Sequence, residues 1–419
     1  MIESSEFYNR LNRLEAARVD GITNLASKGV IISPNASIPT IVDRILSISG
    51  NATNTTIETN GNAVIIAAEL PGVSLVLKNS QEEMITSKTT DAEIGGAVTF
   101  ELDSSDKETY TITALNSDGT ELWANTITID GVGVYNCKTG KAFNDYTPEE
   151  INLAAKNHYA KYMWSVGDVK NITILGSSKP FIIGGFEHDE KADGTGKTGI
   201  TLIMKEYTSS SYKHYSSNNN KIGWEGSLIR QNCLKVGDLY YLRDESVTAS
   251  TQGTRFVYNT ETDTWVEKTL PTDFDANEYY YTQNTMVEDG AFITGLPDFA
   301  NYIVPVVKET ADAGQNYKKI IKSIDQIFLL SDGEVFGNSG RYSKYSQYEL
   351  EGKQYDYYKN NFTDGKVRAS STWWLRSPYS SNATNFCYVN NNGYVNNNNA
   401  SNGNYARLDS IILCPNKVA

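Results

Sequence analysis

The sequence is short of the residues that most often do chemistry. Its 419 residues hold three histidines, His158, His188 and His214, and none forms an HxxxH or HExxH pair. No zinc site is expected from them. The four cysteines, Cys137, Cys233, Cys387 and Cys414, are too widely spaced for a CxxC centre and too few for a disulfide scaffold. Positive charge is also scarce: 37 Lys and Arg stand against 50 Asp and Glu, a net charge of −13. With no basic cluster, nucleic acid is not an expected partner. No uninterrupted apolar run is long enough to span a membrane, so no membrane insertion is expected. The opening residues lack the basic and apolar regions of a secretory signal. Without that route, the N-x-Ser/Thr triplets at Asn35, Asn51, Asn54, Asn171, Asn361, Asn382 and Asn399 read as products of an Asn-rich composition.

What is present divides the chain in three. In residues 1–50, Phe7, Leu11, Leu14, Ile22 and Leu25 recur at helical steps. Ser37 and Pro39 open a second short helix lined by Ile38, Ile41, Val42 and Ile45. This segment reads as an attachment or oligomerisation element, or as a plain helical hairpin. Over 53–131 the runs "AVIIAAE", "VSLVLKN", "AVTFELD", "TYTITAL" and "ANTITID" alternate with turn signals such as Pro71-Gly72 and "NSDGT". They predict a small antiparallel, immunoglobulin-like sandwich serving as a spacer. A linker, "GVGVYNCKTGKAFNDY", leads to Thr147-Pro148-Glu149-Glu150, which combines an N-cap, a first-turn proline and a capping-box glutamate. Residues 134–419 read as one loop-heavy α+β domain. Its strands are expected at "NITILG", "FIIGGF" and "ITLIMKE", and short helices at 225–234, 297–308 and 323–337.

The most unusual stretch lies near the end. Eleven of the 23 residues 382–404 are asparagine: Asn382, Asn385, Asn390, Asn391, Asn392, Asn396, Asn397, Asn398, Asn399, Asn402 and Asn404. They are threaded with Phe386, Tyr388, Val389, Tyr394, Val395 and, just beyond, Tyr405. "CYVNNNGYVN" predicts a hairpin turning through Asn392-Gly393 with a type I′ turn, Val389 and Val395 inward, and Asn and Tyr outward. Such a surface has the composition of antibody loops, where aromatic area meets adaptable hydrogen bonding. The competing readings are a solvated loop and a β-prone polar segment. Before it, "STWWLRSP" offers Trp373, Trp374, Arg376 and Pro378. Paired large aromatics are more often core than ligand platform, so this run reads as the scaffold of the Asn-rich face. The acidic stretch "FEHDEKADGTGKT" at 186–198 raises calcium, but it lacks the regular Asp spacing and reads as a solvated hairpin tip. No cofactor is expected.

Several phrases, in order, carry a resemblance: "WSVGD" (164–168), "GWEGSLIR" (223–230), "IFLLSDGEVFG" (327–337), "YELEGKQYDYY" (348–358) and "WWLRSP" (373–378). Together they resemble a widespread bacterial and phage domain family of unassigned activity, which implies a C-type-lectin-like fold over roughly 150–415. The stretch "LASKGVIISPNASIPTIVDRILSI" resembles the start of tail proteins from phages of Gram-positive hosts. The two resemblances imply a virion-tail receptor-binding protein made in the host cytoplasm. It would be joined to other tail proteins through its N-terminal segment, assembled as a homo-oligomer with a trimer favoured, and would bind a host cell-surface protein or glycan. The Asn-dense C-terminal segment is similar to the variable repeat of a diversity-generating retroelement, in which adenine-rich Asn codons are randomised. The site implied is the set of asparagines above with Tyr388, Tyr394 and Tyr405, and no catalytic residue. The alternatives are a bacterial surface ligand-binding module and a tail-associated polysaccharide-cleaving enzyme, which needs two carboxylates about 5–10 Å apart. A third comparison, with the formylglycine-generating enzymes of the same architecture, founders on the separation of Cys387 from Cys414.

Overall fold

A computed structural model describes residues 62–102, 106–192, 194–206, 295–311, 320–337, 351–361 and 371–403, with scattered positions between 213 and 230. It also describes the backbone of three strands between 240 and 269 and of residues 412–413. The expected helical segment 1–50 lies outside the described residues, as do Asn404, Tyr405, Cys233 and Cys414. Among the described residues strands dominate and the helices are short.

Seven strands come first: β1 (Ala63–Glu69), β2 (Ser74–Lys78), β3 (Met84–Thr89), β4 (Gly96–Leu102), β5 (Glu108–Leu115), β6 (Glu121–Ile129) and β7 (Gly133–Asn136). They form a three-stranded sheet, β4-β1-β7, and a four-stranded sheet, β3-β2-β5-β6. Ile65, Leu75, Leu77, Phe100, Ile112 and Ile129 fill one core shared by the two sheets. Two features depart from the sequence reading. β7 forms within the expected linker and pairs parallel to β1, and the next residue, Cys137, is buried in the core. Five intervening strands give the long connection that parallel pairing needs. β3 lacks a buried face and carries no alternation for a sequence reader to find.

Thr147 then starts α1 (Pro148–Lys156) with the expected capping box: its Oγ1 accepts from Glu150 N at 3.2 Å, and its N–H donates to Glu150 Oε2 at 2.7 Å. The helix stops where His158 takes φ +58°, and α2 (Ala160–Met163) resumes it. α2 packs against β1. That covers the second face of β1 and explains why all seven of its residues are buried and why "AVIIAAE" is a continuous apolar run.

Strands β8 (Val169–Ile174), β9 (Ser177–Gly185) and β10 (Thr201–Met204) follow where expected. Next come β11 (Tyr240–Tyr241), β12 (Thr254–Asn259) and β13 (Thr264–Thr269), a small sheet of their own, then β14 (Val306–Ala311) paired with β15 (Ile320–Asp325). β16 (Ile327–Phe328), α3 (Asp332–Phe336), α4 (Asp356–Asn360), β17 (Trp373–Pro378), β18 (Asn385–Val389), β19 (Val395–Asn399) and β20 (Ile412–Leu413) complete the order. A five-stranded sheet, β16-β20-β10-β9-β8, is antiparallel throughout, and β17-β18-β19 form another. The helices expected at 297–308 and 323–337 are corrected. Val306–Ala311 and Ile320–Asp325 are strand, Ala300–Tyr302 is a single 3-10 turn, and of these two stretches only Asp332–Phe336 is α-helical. The Val- and Ile-rich runs there favour a pleated surface over a helix.

Candidate functional site

β17 carries "WWLRSP", and all six residues are buried. Trp373 and Trp374 are each 1% exposed and sit in the main core. Arg376, also fully buried, uses every nitrogen. Nε donates to Thr310 Oγ1 (3.1 Å), Nη1 to Leu329 O (2.8 Å) and Glu334 Oε2 (2.5 Å). Nη2 donates to Glu309 O (3.1 Å), Glu334 Oε1 (3.0 Å) and Glu351 O (2.9 Å). Glu334 is placed by a second capping box, with Ser331 at the start of α3. Its Oε1 also accepts from Lys308 Nζ at 2.6 Å, and Lys308 reaches Asp189 Oδ1 at 2.6 Å. Asp189 takes further bonds from Thr201 Oγ1 (2.6 Å) and Tyr355 OH (2.9 Å).

The result is a buried chain of alternating charge, Asp189–Lys308–Glu334–Arg376. Burial alone would push both carboxyls up, but Arg376 with Lys308 outweighs it at Glu334, and Lys308 with His188 outweighs it at Asp189. Both stay ionised below their ordinary values. Gly352 makes the approach possible: its φ is +109°, and a Cβ there would lie 2.8 Å from Glu334 Oε1.

Beside this chain sits a second acidic pair. Ser377 Oγ donates to Glu351 Oε2 and accepts from Asp332 N at 3.0 Å, while Ala311 N donates to Glu351 Oε1 at 2.6 Å. Burial drives the Glu351 carboxyl up to about 7 and, together with Glu351 itself, holds Asp332 well above its usual range. Both side chains are sealed from solvent.

Residues of "SDGE" and "LRSP", together with Glu351 and Gly352, come from phrases read separately in the sequence and converge on one buried polar frame. "GWEGSLIR" supplies another: Arg230 Nε donates to Asp325 Oδ1 at 2.7 Å, and Trp224 Nε1 to Asp325 Oδ2 at 3.0 Å.

On this frame stands the hairpin β18–β19, with Val389 opposite Val395 and Asn385 opposite Asn399. Val389 is buried and Val395 half-buried. The turn differs from the expected type I′. Gly393 N donates to Asn390 O and Asn390 N to Tyr394 O, both at 2.9 Å, and Gly393 takes φ +83° while Asn392 does not turn left-handed. This is a three-residue loop with a glycine bulge. The cause is Asn390, whose Oδ1 accepts from Asn392 N (2.9 Å) and Tyr394 N (3.1 Å) and so fixes a tighter local turn first.

The asparagines do not play one role. Asn382 Oδ1 accepts from Thr384 N (3.0 Å) and Asn385 N (2.8 Å), and Asn385 Nδ2 donates across the hairpin to Asn397 Oδ1 (2.7 Å). Asn398 and Asn402 are half-buried, whereas Asn391, Asn392, Asn396 and Asn399 are exposed. Tyr388 packs edge-on to Trp374, ring centroids 5.9 Å apart, and Tyr394 is half-buried. Residues missed in the sequence anchor the base. Asn220, fully buried, donates from Nδ2 to the carbonyls of Asn385 (2.7 Å) and Asn382 (3.0 Å), and Ser401 Oγ bonds Asn218 Oδ1. The one available signal was compositional: "SSNNNK" at 216–221 echoes the hairpin. His214 stacks on Phe386 (3.8 Å) and bonds Leu375 O at 3.0 Å. Burial lowers its pKa to about 3, so it is neutral.

In the acidic stretch, Lys191 N bonds Gly196 O and Thr198 N bonds Asp189 O, which closes a small hairpin whose Asp189 faces inward. No group of three or more His, Cys, Asp or Glu side chains is positioned to hold a metal ion among the described residues. None of the described helices is long and apolar enough to cross a membrane.

Fold and site together define a β-rich protein with a polar hairpin raised on a buried ionic frame. Residues 198–412, just over half the chain, match the family described as "Domain of unknown function (DUF6273)", and the chain belongs to that family. No curated protein and no solved structure matches it.

Proposed function

We propose that this chain is a phage tail-associated receptor-binding protein, with an N-terminal attachment segment, an immunoglobulin-like sandwich and a C-type-lectin-like display region. It acts by binding, and its ligand is a molecule on the host cell surface. One observation carries the reading: an Asn- and Tyr-rich hairpin stands at the surface on a strand, β17, whose six residues are all buried. A rigid base under an adaptable polar surface is the arrangement a recognition site requires. The order of phrases from "WSVGD" to "WWLRSP" and the tail-protein-like opening support it. Assembly through the N-terminal segment raises weak single-site affinity by effective concentration. The exposed asparagines are the positions at which a retroelement could rewrite identity without disturbing the fold. The carboxyl pair Asp332 and Glu351 lies within the core, 5% and 0% exposed, and gives a polysaccharide-cleaving reading no accessible acid.

The test is binding of the full-length protein to a panel of Gram-positive cells, before and after Asn391, Asn392, Asn396 and Asn399 are replaced together by Ala. The expected result is loss of cell binding with an unchanged melting temperature. Undiminished binding by the quadruple variant would sink the reading.

A further inference from the structure

We infer that the hairpin takes an uncharged, hydroxyl-rich ligand, a neutral oligosaccharide, and meets it with the side chains of Asn391, Asn392 and Asn396 beside Tyr394. This rests on the ligand-display reading above and narrows it. The first observation is electrostatic. Not one of the thirty residues 377–406 is charged, in a chain of which 21% is Asp, Glu, Lys or Arg. Sites for phosphate, sulfate or carboxylate ligands rely on charge-assisted bonds, usually from Arg, and the arginine that leads into this stretch, Arg376, is fully buried and wholly committed to the frame. Lys213 is exposed, but it lies two residues before Tyr215, whose N–H meets Ala400 O at the end of the hairpin away from the turn. An amide side chain offers one acceptor and two donors, which a sugar hydroxyl reciprocates in either sense. A half-exposed tyrosine ring adds an apolar face with a polar tip.

The second observation excludes the commonest way a strand edge takes a polypeptide. β19 is the outer strand of its sheet among the described residues. Asn390 N bonds Tyr394 O, and Ala400 N bonds Thr384 O. The alternation of an antiparallel ladder then turns the backbone groups of Val395, Asn397 and Asn399 away from β18. Two of these outward N–H groups are already taken: Asn397 N donates to Asn396 Oδ1 and Asn399 N to Asn398 Oδ1, both at 2.8 Å. Asn399 O accepts from Asn402 N as well. A peptide adding here as a strand would have to break these bonds first, so the asparagines blunt the edge. Recognition falls to the exposed amides at the turn and along the outer margin.

The experiment uses the full chain and an immobilised panel of neutral hexose and N-acetylhexosamine oligomers, their sulfated counterparts, and Gram-positive cells treated with periodate or with protease. The inference expects binding to neutral oligomers, less than about a twofold change in affinity up to about 1 M salt, and loss of cell binding after periodate alone. It further expects at least about tenfold weaker binding for the N391A/N392A/N396A variant, with its melting temperature held. Preference for sulfated oligomers, a steep salt dependence, or loss of cell binding to protease alone overturns the neutral-glycan assignment while leaving receptor binding intact. Failure to bind any untreated cell overturns both.

Discussion

Arg376 grips Glu334 through two nitrogens and two oxygens, at 2.5 and 3.0 Å, in a site from which water is excluded. The pair joins β17 to the start of α3, and so the base of the hairpin to the rest of the domain. Because both charges are buried, removing Arg376 leaves the Glu334 carboxylate with Lys308 alone, a cation it already shares with Asp189. Arg376→Met is expected to lose on the order of 3–5 kcal/mol of unfolding free energy. Arg376→Lys should fare little better, since an ammonium has three donors and no planar fork. Combining Arg376→Met with Glu334→Gln should recover part of the loss, because a neutral pair leaves no bare charge. Urea unfolding midpoints at constant slope provide the measurement, and a wild-type midpoint for Arg376→Lys would show that the frame is not needed.

Glu351 predicts a pH dependence of definite sign. Its carboxyl keeps its proton up to about 7, against an ordinary 4.5. Between those values the folded chain binds more protons than the unfolded one. Stability from this group is therefore fully present below 4.5 and is lost as the pH rises through 7. Gln at this position stays neutral throughout. The stability of Glu351→Gln relative to the wild type should rise between about pH 5 and pH 8, by up to about 3 kcal/mol for a shift of this size. The depressed carboxylates Asp189 and Glu334 act in the opposite direction, losing stability as the pH falls, but they are common to both proteins and largely cancel in the difference. Asp332, held high by burial and in part by Glu351, adds to the rise. Thermal melts of the two proteins at both pH values decide it, and a flat difference would count against a raised Glu351.

The turn offers a local test. Asn390→Ala removes the acceptor shared by Asn392 N and Tyr394 N, and Gly393→Ala places a side chain at φ +83°. Each should cost about 1 kcal/mol, with faster amide exchange at Tyr394 in the first. Asn392→Gly separates the observed loop from a type I′ turn. A type I′ turn would be stabilised by a second glycine, whereas the bulged loop gains nothing. A higher melting temperature for Asn392→Gly would therefore contradict the observed geometry.

How much could be read in advance followed sequence distance. The Thr147–Glu150 capping box and the Val389/Val395 hairpin are set by residues a few positions apart, and their patterns were legible. The type of turn was not, because Asn392-Gly393 suits two turns and the choice lies with the Asn390 side chain. The ionic frame was hidden for a different reason. Asp189 and Lys308 are 119 positions apart, and Glu334 and Arg376 are 42 apart, so no local period announces them. The Ser331–Glu334 spacing in "LLSDGE" was itself a capping-box signature, and it would have placed α3 where the longer helix was expected. β7 failed on length, since four residues at a sheet edge, with Val134 exposed, carry too little pattern to separate a strand from a linker.

Besides the packing of α2 on β1, the seven-stranded unit meets the region that follows it at a buried carboxyl group, and that joint yields the last prediction. Glu69, at the end of β1, is 2% exposed. Its Oε2 accepts from Trp123 Nε1 at 2.6 Å and from Tyr146 OH at 3.2 Å, and its Oε1 from Leu70 N at 3.0 Å. Trp123 belongs to the sandwich core and Tyr146 to the core beyond it, so this side chain bonds to both. All three partners are donors, and an amide cannot accept from all of them at both ends. Glu69→Gln therefore turns its Nε2 toward at least one N–H or O–H and should cost about 1 kcal/mol, whereas Glu69→Ala leaves all three donors without it and should cost about 2–3 kcal/mol. If the joint makes the two regions unfold together, Glu69→Ala should also split one unfolding transition into two. Amide exchange in β2 and β5 reports the sandwich, and tryptophan fluorescence, from the five tryptophans beyond it, reports chiefly the rest. Coincident transitions at the wild-type midpoint would show that apolar packing of α2 on β1 holds the regions together without the carboxylate.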